Sequence, residues 1–257
     1  MSDSVQTWHY GLVARWWAEF KEGGDDVGFF LDAIKRCGQP GLDAGCGTGR
    51  LLAPFLRAGL DVDGSDVSSD MLDRCAAKIA AEGLTTNLYP RAMHQLDLPR
   101  RYRTVVICGS FGLGGTRITD LEGLRRIRSH LEPGGSLIMD HYPPRRDSDY
   151  AEARAGFLDL PSDWSDPADR RRASDGTELE LRTRLVAVDE GNRTITREIS
   201  VREYDHGSQV REERYSIVIS GYREVDVDLM LRGVGFSDVR VSDGLFEDGR
   251  VIFEAHA

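Results

Sequence analysis

The chain has 257 residues, a formal net charge of −10 and a hydrophobic fraction of 40%, with a pI near 5.1. That length and apolar content support one sizeable folded unit, and an acidic surface repels phosphate backbones, which argues against a nucleic-acid partner. The four cysteines (Cys37, Cys46, Cys75, Cys108) form no CxxC pair and no zinc or disulfide spacing, so no metal is expected.

The start, MSDSVQTWHY, lacks the basic and apolar regions of a leader peptide, and no apolar run approaches the ~18 residues of a membrane span. A reduced, cytoplasmic protein is expected, with no membrane partner. The sequon at Asn192 is then fortuitous. The arginine runs at 145–146 and 170–172 fit solvated loops.

In chain order, residues 7–20 predict a helix carrying Trp8, Leu12, Trp16, Trp17 and Phe20, and 27–37 a second. Gly41–Ala44 reads as a short strand entering the glycine loop GLDAGCGTGR. Leu51, Leu52, Phe55 and Leu56 mark a helix whose Pro54 belongs in its first turn. Residues 60–64 predict a second strand, and Ser68 caps a helix facing inward through Met71, Leu72, Cys75, Ala76 and Ile79. A brief strand at 87–90, the apolar run TVVICG at 104–109, a helix through Leu121, Leu124, Ile127 and Leu131 stopped by LEPGG, and the strand SLIMD at 136–140 complete the alternation. Strands alternating with helices predict a parallel sheet covered on both faces.

After residue 143 the pattern changes. A polar, irregular stretch with room for one short helix precedes three alternating segments, 178–189, 193–205 and 210–222, separated by the turns EGN and HGSQ. These predict an antiparallel meander. A helix over 225–236 and two closing strands follow.

Two readings of the glycine loop compete. A nicotinamide or flavin site would show GxGxxG, whereas Gly45, Gly47 and Gly49 are spaced GxGxG. Asp66, 21 residues after Gly45 at the end of the second strand, suits a carboxylate that grips ribose hydroxyls. Asp63 nearby is read as a solvated strand residue.

Together LDAGCGTG, VDGSDVSSDML and LEPGGSLIMD resemble the class I S-adenosylmethionine-dependent methyltransferases. The resemblance covers residues 8–143 and returns at 222–257. It implies an α/β fold, a doubly wound, seven-stranded, mostly parallel Rossmann-like sheet with one antiparallel strand, in a single domain over 1–257 with an insertion at 144–221. The layout, with MHQLDL after the third strand and a three-stranded insertion before the last helix, is similar to the glycine N-methyltransferase-like and deoxysugar N,N-dimethyltransferase group.

The resemblance implies S-adenosylmethionine as cofactor, held by Tyr10, Trp17, Ala44, Gly45, Cys46, Gly47, Asp66, Val67, Met71, Ala92, Met93 and Cys108. The family's acidic-Met pair reads Ala92-Met93 here, and its aspartate before the fourth strand is Arg103. Strand ends place Ser110, Phe111, His141 and Tyr142 at the acceptor. His141, which titrates near neutrality, is the first candidate base and Tyr10 the second; His9 is expected to point elsewhere. The function implied is methyl transfer to an N or O nucleophile of a small molecule, with a homodimer through the meander edge. A non-catalytic cofactor-binding protein and a nicotinamide oxidoreductase are the alternatives.

Overall fold

The computed structural model describes residues 7–142 and 159–257. The short helix expected in the polar stretch, the arginines at 145–146 and the start of the insertion at 144 lie outside these residues.

Seven strands form the main sheet: β1 (Gly41–Ala44), β2 (Val62–Asp66), β3 (Leu88–Pro90), β4 (Tyr102–Ile107), β5 (Leu131–His141), β10 (Ser237–Ser242) and β11 (Val251–His256), in the order β10-β11-β5-β4-β1-β2-β3. β1 to β5 are parallel, while β11 runs antiparallel to β5 and β10. The order reverses between β1 and β4, and the carboxyl ends of those strands open a crevice there.

The expected helices are present as α1 (Gly11–Phe20), α2 (Asp26–Cys37), α3 (Leu52–Arg57), α4 (Ser69–Ala81), α5 (Arg117–His130) and α6 (Glu224–Gly233). One core, through Leu124, Ile127, Val227 and Leu231, lies under α5 and α6; the other, through Phe30, Ile34, Phe55 and Cys75, lies under α2, α3 and α4. Helix α5 stops at His130, as LEPGG requires. The chain then pairs Leu131 with Tyr102 and next Ser136 with Thr104, so the glycines loop out as an irregularity within β5.

Helix α1 begins four residues later than its apolar pattern suggests. The first free main-chain N–H groups of a helix need acceptors, and here distant carboxylates supply them. Gly11 N donates to Asp70 Oδ2 at 2.7 Å and Leu12 N to Glu213 Oε2 at 2.6 Å. Trp8 and His9 therefore lie in an extended lead-in, tied down where Ser68 Oγ donates to the His9 carbonyl at 2.5 Å. The same Ser68 oxygen caps α4 by accepting from Met71 N.

The second sheet has four strands, not three: β6 (Asp169–Arg172), β7 (Glu178–Asp189), β8 (Thr194–Asp205) and β9 (Ser208–Ser220), all antiparallel. β6 is a four-residue charged edge strand, DRRR, with no alternation to read. Trp8, Leu12, Val13 and Trp16 pack against Leu179, Ile199, Val201 and Ile217, so α1 is sandwiched by this sheet. Gly114 N donates to the Val218 carbonyl and Ser220 N to the Gly112 carbonyl, fastening the end of β9 to the β4–α5 loop.

Candidate functional site

The three loop glycines have three different physical reasons. All have positive φ, which disfavours side chains. A Cβ on Gly45 would overlap the Ser110 hydroxyl, and one on Gly49 would meet Cys75 Sγ at 2.8 Å. A Cβ on Gly47 meets nothing within 4 Å and would project into open space. Close approach of a ligand to bare main chain is thus a reading for Gly47, while Gly45 is required by Ser110.

Asp66 at the end of β2 turns back on the loop. Its Oδ2 accepts from Gly47 N at 2.9 Å and its Oδ1 from Ser68 N at 2.8 Å. Burial raises its pKa, opposed by these main-chain donors.

A cavity of about 650 Å³ opens at this point, within the range of small-molecule sites. Of the residues expected to form the site, Trp17, Gly45, Cys46, Gly47, Asp66, Val67, Met71, Ala92, Met93, Cys108, Ser110, Phe111 and Tyr142 line it. Three others do not. Ala44 is fully buried in the core, contributing only a carbonyl that accepts from Ser110 Oγ at 3.2 Å. Tyr10 caps α1, with its phenol beside the Asp66 and Asp70 carboxylates.

His141 is the third, and its displacement follows from strand alternation. Side chains at successive strand positions face opposite ways, so Asp140 and Tyr142 enter the cavity and His141 points away. Its Nε2 donates to the Tyr222 carbonyl at 2.7 Å, and burial lowers its pKa. It packs against both Phe111 and Tyr222 and is a structural residue of that junction.

His9, discounted from the sequence, lines the cavity. The Trp8 indole, which can only donate, gives its N–H to His9 Nε2 at 3.1 Å; Nδ1 therefore carries the ring proton, 2.7 Å from Thr7 Oγ1. Burial pushes the His9 pKa down to about 4. With its lone pair occupied, it is a neutral wall, stacked edge-on to Trp17.

Sequence patterns gave no warning of a buried ionic cluster at the cavity floor. Asp26 accepts from Arg50 Nη1 at 2.6 Å and Arg250 Nη1 at 2.6 Å. Arg250 Nη1 also lies 3.3 Å from Asp140 Oδ2, and Gly109 N donates to Asp140 Oδ1 at 2.6 Å. Cys108 Sγ sits 3.3 Å from both Asp26 and Asp140. Burial would raise the Asp26 pKa, but the two arginines outweigh it and hold the group well below the usual carboxylate range. Burial pushes the Cys108 thiol strongly up. The Asp26, Cys108 and Asp140 donor atoms lie within 4.8 Å of one another, yet two guanidiniums occupy the carboxylates and the thiol keeps its proton, so this donor set does not fit a metal ion.

Asp43, under the loop, is a further residue the sequence reading passed over. It is 2% exposed, and its Oδ2 is buried with no hydrogen-bond partner among the described residues. Burial raises its pKa to about 7, moderated by Arg50.

The Rossmann-like sheet thus places an acid at the end of β2 on the glycine loop, beside one cavity. Residues 42–135 match the family model described as a methyltransferase domain. A Geobacillus sp. (strain WCH70) protein bearing a methyltransferase name is 30% identical over 117 residues, which is 44% of this chain and 47% of that protein; the match spans about half the length of that relative.

Solved structures share the fold. The sugar N-methyltransferase KedS8 from Streptoalloteichus sp. ATCC 53650 superposes with a TM-score of 0.75 at 16% identity, covering 100% of this chain and 95% of that one. CalS10, an amino pentose methyltransferase from Micromonospora echinaspora, gives 0.67 at 19%, covering 98% of each. A S-adenosylmethionine-dependent methyltransferase from Clostridium acetobutylicum ATCC 824 gives 0.67 at 16%, covering 90% and 89%. At these identities the likeness is one of fold.

Proposed function

We propose that this chain is an S-adenosylmethionine-dependent methyltransferase acting on an N or O nucleophile of a small molecule. The observation that carries the reading is the Asp66–Gly47 pair: a half-buried carboxylate and a glycine whose missing Cβ leaves open space, facing one cavity.

The residues fit this cofactor. The orphaned Asp43 oxygen and the Arg50 guanidinium offer opposite charges to an ammonium and a carboxylate at the amino-acid end. Asp66 is the carboxylate for the ribose hydroxyls, and Val67, Met71, Ala92 and Met93 are the walls for adenine. When bound, the cofactor supplies an electrophilic methyl group on its sulfonium. Tyr142, Phe111 and Ser110 then hold the acceptor, and orientation alone is worth roughly 7–11 kcal/mol. Neither His141 nor His9 has the placement and free lone pair of a base, and alignment of the acceptor is the main contribution we assign to the chain.

The acidic net charge and the roughly 650 Å³ cavity favour a small acceptor over nucleic acid. No helix among the described residues is long and apolar enough to cross a membrane, and we place the protein in the cytoplasm. A homodimer through the second sheet is tested by sedimentation. For the cofactor, the test is calorimetric titration with S-adenosylhomocysteine and NADH, followed by label transfer from methyl-labelled cofactor. Tight NADH binding with none for the homocysteine product would refute the reading.

A further inference from the structure

Acidic side chains outnumber basic ones along the cavity wall. Most of the buried ones are already matched. Asp26 and Asp140 face Arg50 and Arg250, Asp66 holds main-chain N–H groups, and Asp43 lies under the glycine loop beside Arg50. Asp120 is different. It lines the cavity from the first turn of α5, where a carboxylate is favoured by the helix N-terminus.

Its protein partners are hydroxyls, and both fall on one oxygen. Tyr222 Oη donates to Asp120 Oδ2 at 2.7 Å, and Ser220 Oγ lies 3.5 Å from the same atom. No hydrogen bond from the described residues reaches Oδ1, and no arginine or lysine pairs with the group. Asp120 is half-buried and acted on by the charge of His94, and Phe111, Leu113 and Met93 line the same cavity. Tyr222 is itself held, packed against Phe111 and accepting through its carbonyl from His141, and it orients the carboxylate it donates to.

We propose that Asp120, oriented by Tyr222, receives the amino group of the methyl acceptor, making an amine the substrate class of the cavity. This rests on the methyl-transfer reading. Burial raises the Asp120 pKa to about 6, moderated by the Tyr222 and Ser220 hydroxyls and by the charge of His94, so the group is ionised at neutral pH and can pair with an ammonium or accept from a neutral amine.

The test uses the full chain and calorimetry in two stages. S-adenosylhomocysteine is titrated first into the wild type, Asp120→Asn and Tyr222→Phe, with circular dichroism to establish that each is folded. The loaded proteins are then titrated with benzylamine against benzyl alcohol and with glucosamine against glucose. Expected are unchanged product-cofactor affinity in all three, an amine bound in preference to its hydroxyl counterpart by the wild type, that preference reduced about tenfold in Asp120→Asn, and a smaller loss in Tyr222→Phe. Equal binding within both pairs, no amine binding, or an Asp120→Asn variant that keeps the preference would overturn the assignment. So would weakened cofactor binding in Asp120→Asn, which would place the carboxylate on the cofactor. Failure of the wild type to bind S-adenosylhomocysteine refutes the methyl-transfer reading itself, a separate result from failure at the second stage.

Discussion

Arg250 Nη1 and Asp26 Oδ2 are 224 residues apart in sequence and 2.6 Å apart in space. That contact closes the floor of the cavity by joining the start of α2 to the start of β11. Asp26 is buried and also holds Arg50, so removing it takes the carboxylate partner from Arg50 and leaves Arg250 with Asp248 and Asp140. Breaking a buried pair by deleting one partner costs about 3–5 kcal/mol. Asp26→Ala should lose about that much in urea denaturation; a loss below about 1 kcal/mol would mean that water already satisfies the arginines.

Asp66→Ala removes the acceptor of Gly47 and Ser68 together with the ribose contact. Calorimetry should show S-adenosylhomocysteine binding about 100-fold weaker, as expected when several buried hydrogen bonds are lost at once. An affinity equal to wild type would move the ribose elsewhere.

Cofactor affinity should depend on pH through Asp43. Its pKa is raised to about 7, so below that pH the free protein holds a proton that binding an ammonium must release. Affinity therefore falls as pH drops, by up to about tenfold per pH unit below the pKa. The same raised pKa makes the unliganded protein less stable as pH rises from about 4 toward 7, because the unfolded chain has already lost that proton. Asp43→Asn should flatten both profiles; an unchanged slope would exclude Asp43 as the source.

Trp16 is 1% exposed between α1 and the second sheet. Trp16→Ala should cost about 3–5 kcal/mol in thermal or denaturant unfolding. Because α1 also presents Trp17 to the cavity, cofactor affinity should drop with it. A stable variant would show that the lead-in from Trp8 holds the sheet unaided.

The main sheet was readable because strands such as the apolar β4 alternate with helices, one of which starts at the Ser68 cap. The cofactor side of the cavity was readable because glycines and Asp66 sit at fixed places on that scaffold. Other features depend on contacts between distant segments, which no local pattern reports. The late start of α1 is set by Asp70 and Glu213, and the ionic cluster joins Asp26, Arg50, Asp140 and Arg250 from four elements. His141 was misplaced by one position: the chemistry suggested histidine, but the two-residue period of β5 sends Asp140 and Tyr142 inward. Asp120 has no motif at all, and its setting comes from Tyr222, which the chain brings back 102 residues later.

The most direct measurement is a crystal structure of the chain grown with S-adenosylhomocysteine. Ribose hydroxyls are expected on the Asp66 carboxylate, with the ligand lying against Gly47. A ligand found away from both residues, or none at saturating concentration, would contradict it.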